Sequence, residues 1–302
     1  MEGETRGHFV FGWKIIAYLF LAGVGGGASA VGAAFQLIQP DAEMVSRAGV
    51  ILGAPLVLIG CLLLLFDLGR PSVAFRAFSR PNKAWISRGT FILTTFMVIG
   101  AIQFGLWIWP FQRLTDYPSF HIFINVLYGV FGVFTVIYTG FLFDTTRSIP
   151  FWSTPILPLL FLVSGISTGV FALILMLLIA GYANHQAIGI LSRFDAFLIL
   201  FEGMVLFFYL HGMHEVTAGR ASVRRVVRGD LSAAFWIGVV LLGLVIPFVF
   251  ELFWGSEAFQ IALASLCGLV GGVYVRYVVV SGAVKAPLNA EGVLIYLTPR
   301  PE

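Results

Sequence analysis

The stretch WKIIAYLFLAGVGGGASAVGAAFQLI, Trp13–Ile38, decides the fold class. From Ile15 to Ile38 it holds no charged side chain. A helix rises ~1.5 Å per residue, so a run of this length crosses a ~30 Å hydrocarbon core. A helix satisfies its own backbone in lipid, whereas an open strand edge does not. Seven more such runs follow: Ala48–Phe66, Thr90–Trp109, Phe120–Phe143, Ile156–Tyr182, Phe194–His214, Leu231–Trp254 and Ala258–Ser281. The sequence therefore predicts an all-α integral membrane protein with eight transmembrane helices. Trp13, Trp85, Trp107, Trp109, Trp152 and Trp254 stand at the ends of runs, where amphipathic rings suit the interface.

Composition supports this. Of 302 residues, 59% are hydrophobic and 11% charged, with 30 Phe and 7 Trp. Soluble domains hold ~25% charged residues, so this chain lacks the polar groups to cover a soluble surface. The net charge of +3 is too small to argue for a nucleic-acid partner. The first ten residues, MEGETRGHFV, carry two acids and an arginine, and the run after them is long and glycine-rich. That pattern predicts a retained first span rather than a cleaved signal peptide. Cys61 and Cys267 each lie in an apolar run. Two isolated thiols build neither an iron–sulfur cluster nor a structural zinc site, so both are expected to act as small hydrophobes.

Charge sets the orientation. With eight spans, both chain ends fall on one face, called side A. Side A carries Arg6, Lys14, Arg70, Arg76, Arg80, Lys83, Arg88, Arg147, Arg220, Arg224, Arg225, Arg228, Lys285 and Arg300. The opposite side B carries Arg47, Arg113 and Arg193, and Arg276 lies inside the last run. By the positive-inside rule, side A and both termini are expected in the cytoplasm, with the chain in an inner membrane.

Polar groups in or beside spans are costly and therefore informative. Side A gathers Tyr18, Asp67, Arg70, Tyr138, Asp144, His211, His214, Glu215 and Arg276. Side B has His121, Asp195, Glu251 and Glu257. Glu202 sits eight residues into the sixth run, about 12 Å from side B at the helical rise. Snorkelling to the interface accounts for Lys14 and Lys83. Glu202 must be protonated, paired or hydrated, so it is a candidate for proton transfer or for a structural hydrogen bond. Haem ligation requires facing histidines on different helices. Of the five histidines, His211 and His214 share one helix, His8 precedes the membrane, and His121 and His185 lie near run ends. Neither haem nor metal is expected in this chain.

Small residues locate close helix packing. The first span holds Ala22–Ala34, rich in Gly and Ala, and the fifth holds Ser164-Gly165-Ile166-Ser167-Thr168-Gly169. If these are equivalent, the single membrane domain 1–302 consists of two four-helix halves, 1–150 and 151–302.

The segment Phe66-Asp67-Leu68-Gly69-Arg70-Pro71, which ends the second span, resembles the Asp-Leu-Gly-Arg-Pro signature of the NrfD/PsrC (polysulfide reductase-type) family. Ser87-Arg88-Gly89, Tyr138-Thr139-Gly140, Pro150-Phe151-Trp152 and the Ser164–Gly169 run are also similar to that family's pattern. The resemblance covers essentially the whole chain. It implies a membrane subunit of a respiratory oxidoreductase that is not catalytic alone, binds a quinone (menaquinone or ubiquinone) near one face and carries no haem or metal. It further implies electron exchange with an iron–sulfur subunit serving a catalytic, molybdenum-cofactor-type subunit. By similarity, Tyr138 would hydrogen-bond a quinone carbonyl. The first span offers Tyr18 for such a contact.

The expected quinone site is thus Tyr138, Tyr18, His211, Asp67 and Arg70, with Glu202 and Asp144 transferring protons. Arg70 would keep Asp67 ionised or orient its loop through a charge-assisted bond. The basic loops Arg76–Arg88 and Arg220–Arg228 are expected to dock a partner subunit or anionic membrane lipid. Well-known members of the family present this face to the periplasm, the reverse of the charge-based orientation. The competing expectation is a secondary transporter coupling through Glu202 and Arg276 near the midplane.

Overall fold

The computed structural model describes residues 12–67, 85–107, 118–144, 149–182, 184–215, 217–254, 257–284, 288–290 and 293–295. Its helices are α1 (Trp13–Ile38), α2 (Glu43–Asp67), α3 (Trp85–Trp107), α4 (Pro118–Asp144), α5 (Ile156–Ile179), α6 (His185–Gly212), α7 (Thr217–Arg228), α8 and α9 (Ala258–Ser281). Helix α8 is wound as π-helix over Ala234–Val245, α-helix over Ile246–Val249 and π-helix again over Phe250–Trp254, with Pro247 in the α-helical turn. The architecture is all-helical, with a short two-stranded antiparallel hairpin, Leu288–Ala290 with Val293–Ile295, after α9.

Seven of these helices are long and apolar enough to cross a membrane: α1 to α5, α8 and α9. The eight-span expectation thus holds for seven. The remaining run lies in α6, which is 28 residues long but contains Arg193, Asp195 and Glu202. This helix begins at His185, earlier than the apolar run at Phe194, because Asn184 caps it by accepting from the Ala187 N–H at 3.0 Å. The basic segment Arg220–Arg228 is not a loop but the greater part of α7.

Helix α1 is the hub of the packing, and three consecutive glycines explain why. Successive residues turn by ~100°, so Gly25, Gly26 and Gly27 open three different faces. A Cβ at Gly25 would lie 2.6 Å from the Gly53 carbonyl oxygen of α2, and one at Gly26 would lie 2.7 Å from that of Gly132 on α4. One at Gly27 would overlap the Gly165 carbonyl of α5. Backbones approach to contact on all three sides, as small residues allow in lipid. The two small-residue segments noted in the sequence therefore pack directly on each other. Helix α5 in turn packs on α4, α6 and α9.

The ends alternate as an up-and-down topology requires. Tyr18 near the start of α1 lies within electrostatic range of Tyr138 near the end of α4 and Cys61 near the end of α2. At the other face, Gln36 of α1, Ser46 of α2, Gln103 of α3 and Asn125 of α4 share one hydrogen-bond network.

Candidate functional site

Two of the expected site residues come together at side A. Tyr18 is 0% exposed and Tyr138 is 6% exposed, and each lies within electrostatic range of the other. Both need a glycine opposite. A Cβ at Gly60 of α2 would stand 3.3 Å from the Tyr18 ring, and one at Gly89 of α3 would overlap the Tyr138 ring. The Ser87-Arg88-Gly89 segment thus has a physical role: its glycine vacates the space that the Tyr138 ring fills. Next to it, Thr139 donates to the Val136 carbonyl at 2.6 Å, and Gly140 lets Pro158 of α5 approach. The buried Tyr18 hydroxyl has no hydrogen-bond partner among the described residues. A buried O–H without a partner is costly, and Tyr18 and Tyr138, on the packed helices α1 and α4, offer phenol donors to a polar ligand.

His211 does not join this pair. His211 is exposed on α6, stacked on Phe207 with ring centroids 5.9 Å apart. It lines a separate cavity with α7. Asp67 and Asp144 are the last residues of α2 and α4, and their side chains, with the whole of Arg70, lie outside the described residues.

A second polar cluster runs through the interior of α5, α6, α8 and α9. Arg276 is 1% exposed. Its Nη1 donates to Ser164 Oγ at 2.5 Å and to the Gly272 carbonyl at 3.0 Å, and its Cζ lies 5.7 Å from the Phe161 ring centroid. Glu202 faces both Ser164 and Arg276. Glu202 lies in the second half of α6, ten residues before its end at Gly212. A small cavity with room for about one water adjoins Glu202, Ser164, Ser167 and Thr168. Asp195, expected near the side-B rim, is instead 0% exposed, and neither carboxylate oxygen has a hydrogen bond among the described residues. It shares the interior with Ser167 and Glu251. Asp195 and Glu202 are seven residues apart, two helical turns, so they share a face of α6.

Sequence reasoning missed the amide network at side B. Asn125 Nδ2 donates to Gln36 Oε1 and, at 3.0 Å, to Ser46 Oγ, while Gln103 Nε2 donates to Asn125 Oδ1 at 2.8 Å. The Gln36 side chain also reaches His121 Nδ1 at 3.4 Å. The signal was present: Gln36, Gln103 and Asn125 are amides within apolar runs, where such groups bind across helices. Tyr128 was also missed. Its ring stacks on Phe96 at 4.8 Å, and its hydroxyl accepts from the Ala54 N–H at 2.7 Å.

At the side-A surface, α7 is amphipathic. Ala218, Gly219, Ser222, Val223 and Val226 are buried, while Arg220 and Arg224 face out. Ser222 Oγ accepts from the Val284 N–H at 3.0 Å, tying α7 to the end of α9. Hydrogen bonds from Arg225, at 2.9 and 2.8 Å, hold the Asp230 carboxyl below the usual carboxylate range. Among the described residues, no three His, Cys, Asp or Glu side chains are grouped to hold a metal ion.

Comparison with known proteins accords with this architecture. Residues 2–286 match the family model described as "Polysulphide reductase, NrfD". The protein is 31% identical over 268 residues to one of the chains of polysulfide reductase from Wolinella succinogenes, and the match spans 82% of this sequence and 84% of the relative. It is 28% identical to the NrfD homolog of Haemophilus influenzae, spanning 89% and 93%, and 27% identical to NrfD of Escherichia coli, spanning 92% and 96%. A chain of apolar helices built around one glycine-lined hub, matched along nearly its whole length, belongs to the NrfD (polysulfide reductase) family of membrane proteins.

Proposed function

We propose that this protein is the quinone-interacting membrane subunit of a respiratory oxidoreductase, exchanging electrons with an iron–sulfur partner that serves a catalytic, molybdenum-cofactor-type subunit. The observation that carries it is the partnerless, fully buried Tyr18 hydroxyl, with Tyr138 within electrostatic range. Quinone carbonyls accept hydrogen bonds and offer no donor, so they suit phenol donors. Family membership supports the setting, since one relative is named as a component of polysulfide reductase. A shorter match, 26% identical over 154 residues, is to one of the subunits of a selenate reductase from Mesobacillus selenatarsenatis.

A quinol supplies two electrons and two protons when it is oxidised. The residues of this protein do the rest. Tyr18 and Tyr138 orient the ring by hydrogen bonding to its oxygens. Asp67 ends α2 at the same membrane face, and Arg70, three residues on in the sequence, is the cation proposed to keep it ionised. His211, turned away into the α7 cavity, leaves the quinone contacts. Glu202 holds or passes a proton in the interior, with Ser164 and Arg276 as its partners and Asp195 and Glu251 between it and side B. Asp144, at the end of α4, is the corresponding acid near side A.

We take α6 as the eighth span, which places both termini on side A. The pairing of α1 with α2 and α4, and of α3 with α4, is repeated by α5 with α6 and α9, and of α8 with α9. That repetition supports two four-helix halves. The basic side A is assigned to the cytoplasm of an inner membrane. A reporter fused at the C-terminus tests this: cytoplasmic activity is expected, and periplasmic activity would reverse the orientation.

A second reading, a secondary transporter, draws on the buried Arg276 and Glu202 deep between helices. Two measurements separate the two. Quinone-analogue binding to the purified protein, weakened by Tyr138→Phe, supports the quinone role. Solute counterflow in liposomes, lost in Glu202→Gln, with no quinone binding, supports transport.

A further inference from the structure

We infer that the groove between the end of α6 and helix α7 is a binding site for an anionic phospholipid. The cavity is about 360 Å³ and is lined by Arg220, Arg224 and Arg228 from α7, by His211 and His214, and by the apolar Phe207, Leu210, Val223 and Val227. The three arginines are spaced by four residues, so they form one stripe along the helix. Arg225, out of that register, turns away to bind Asp230. Arg224 and Arg228 have no ion pair among the described residues. Arg220 donates from Nε and Nη2 to the His214 carbonyl at 3.0 and 2.8 Å, which fixes the stripe over the end of α6. A stripe of cations with no acidic partner among the described residues is built for an anion, and guanidinium groups bind phosphate through paired N–H donors.

The other wall shows which anion. Phe207 lies one turn before His211 within α6, and its side chain is 63% exposed on the outer surface of the bundle. The groove therefore runs from a cationic rim at the interface to an apolar wall at hydrocarbon depth. A soluble acidic protein reaches the rim but not that wall. A glycerophospholipid spans both, with its phosphate on the arginine stripe and an acyl tail along Phe207 and Leu210. Buried Val223 and Val226 seat α7 in the interface plane, where amphipathic helices bind such lipids. The inference does not depend on the quinone assignment.

The test uses the purified full-length protein in nanodiscs or mild detergent. Native mass spectrometry counts retained lipids, and a titration follows binding of phosphatidylglycerol or cardiolipin, with phosphatidylcholine and inorganic phosphate as separate arms. Anionic lipid should bind in preference to phosphatidylcholine, with inorganic phosphate far weaker. Each arginine near a membrane surface contributes about fivefold, so Arg224→Gln with Arg228→Gln should weaken binding roughly 30-fold. Arg47→Gln, at an exposed ion pair on side B, should leave it unchanged. Phe207→Ser should weaken the lipid arm but not the phosphate arm, because only the lipid touches that wall. The inference is overturned by equal binding of phosphatidylcholine, by phosphate binding as tightly as lipid, or by unchanged lipid binding in the double variant. It is equally overturned if the double variant loses a co-purifying protein while retaining its lipid.

Discussion

Arg276 and Glu202 offer the sharpest quantitative prediction. Arg276 is almost fully buried, with hydrogen bonds to Ser164 and Gly272, a Phe161 ring over its guanidinium, and an Nε that has no partner among the described residues. Glu202 is its facing carboxylate. Removing one of two buried groups that act on each other electrostatically leaves the other less compensated, at about 0.5–3 kcal/mol. Arg276→Gln should therefore destabilise the protein by that order, and Glu202→Gln by a similar amount. The double variant removes both charges. Glutamine retains amide groups that can reach Ser164, so the double variant should lose no more than the worse single variant. The coupling energy should be about 0.5–3 kcal/mol. The assay is unfolding by SDS titration in mixed micelles, followed by tryptophan fluorescence, for all four proteins of the cycle. If the two single losses add in the double variant to within about 0.5 kcal/mol, the residues do not compensate each other, and the interior cluster needs another explanation.

Three further outcomes follow from the same geometry. Gly27→Ala places a methyl against the Gly165 carbonyl, a backbone atom that cannot swing aside; overpacking of this kind costs about 1–3 kcal/mol, and the loss should appear as a lower melting temperature in detergent. Gly89→Ala displaces the Tyr138 ring, so it should weaken quinone-analogue binding as much as Tyr138→Phe, although alanine favours the helix by about 1 kcal/mol. Asp230 is held ionised by Arg225, so its stabilising contribution is present above the ordinary carboxylate pKa and is lost as pH falls through the depressed folded value. The pair is exposed, so Asp230→Asn should lower the melting temperature slightly at neutral pH and leave it unchanged in acid, below the depressed carboxylate value.

Much of the fold was legible because lipid imposes one rule: a long uncharged run must be a helix. The first, fourth, fifth and ninth helices begin or end within a few residues of their apolar runs. The rule weakens where charges enter a helix. Helix α6 starts nine residues before its apolar run, and Asp195, read as a side-B group, is fully buried among the helices. Depth was read from hydropathy, whereas the helix start is set by the Asn184 cap. Helix α7 was read as a basic loop because its apolar face is only Ala218, Val223 and Val226, too narrow to stand out from the arginines. At the site, Tyr18 and Tyr138 could be placed at one face by span alternation, but their proximity depends on Gly60 and Gly89, which no spacing along the sequence reveals. His211 shared that face by depth yet points to the opposite side of its helix from buried Tyr209, a matter of rotation rather than height.

The central claim is that Tyr18 and Tyr138 together hold a quinone at side A. Its most direct test is the affinity of the purified protein for a fluorescent quinone analogue, compared across Tyr18→Phe, Tyr138→Phe, the double variant and His211→Ala. Loss of one hydrogen bond costs about 1 kcal/mol, so each Phe variant should bind about fivefold more weakly, and the double variant weaker still. His211→Ala should bind as the unaltered protein does. Unchanged affinity in the double Tyr variant, or a loss confined to His211→Ala, would contradict the account.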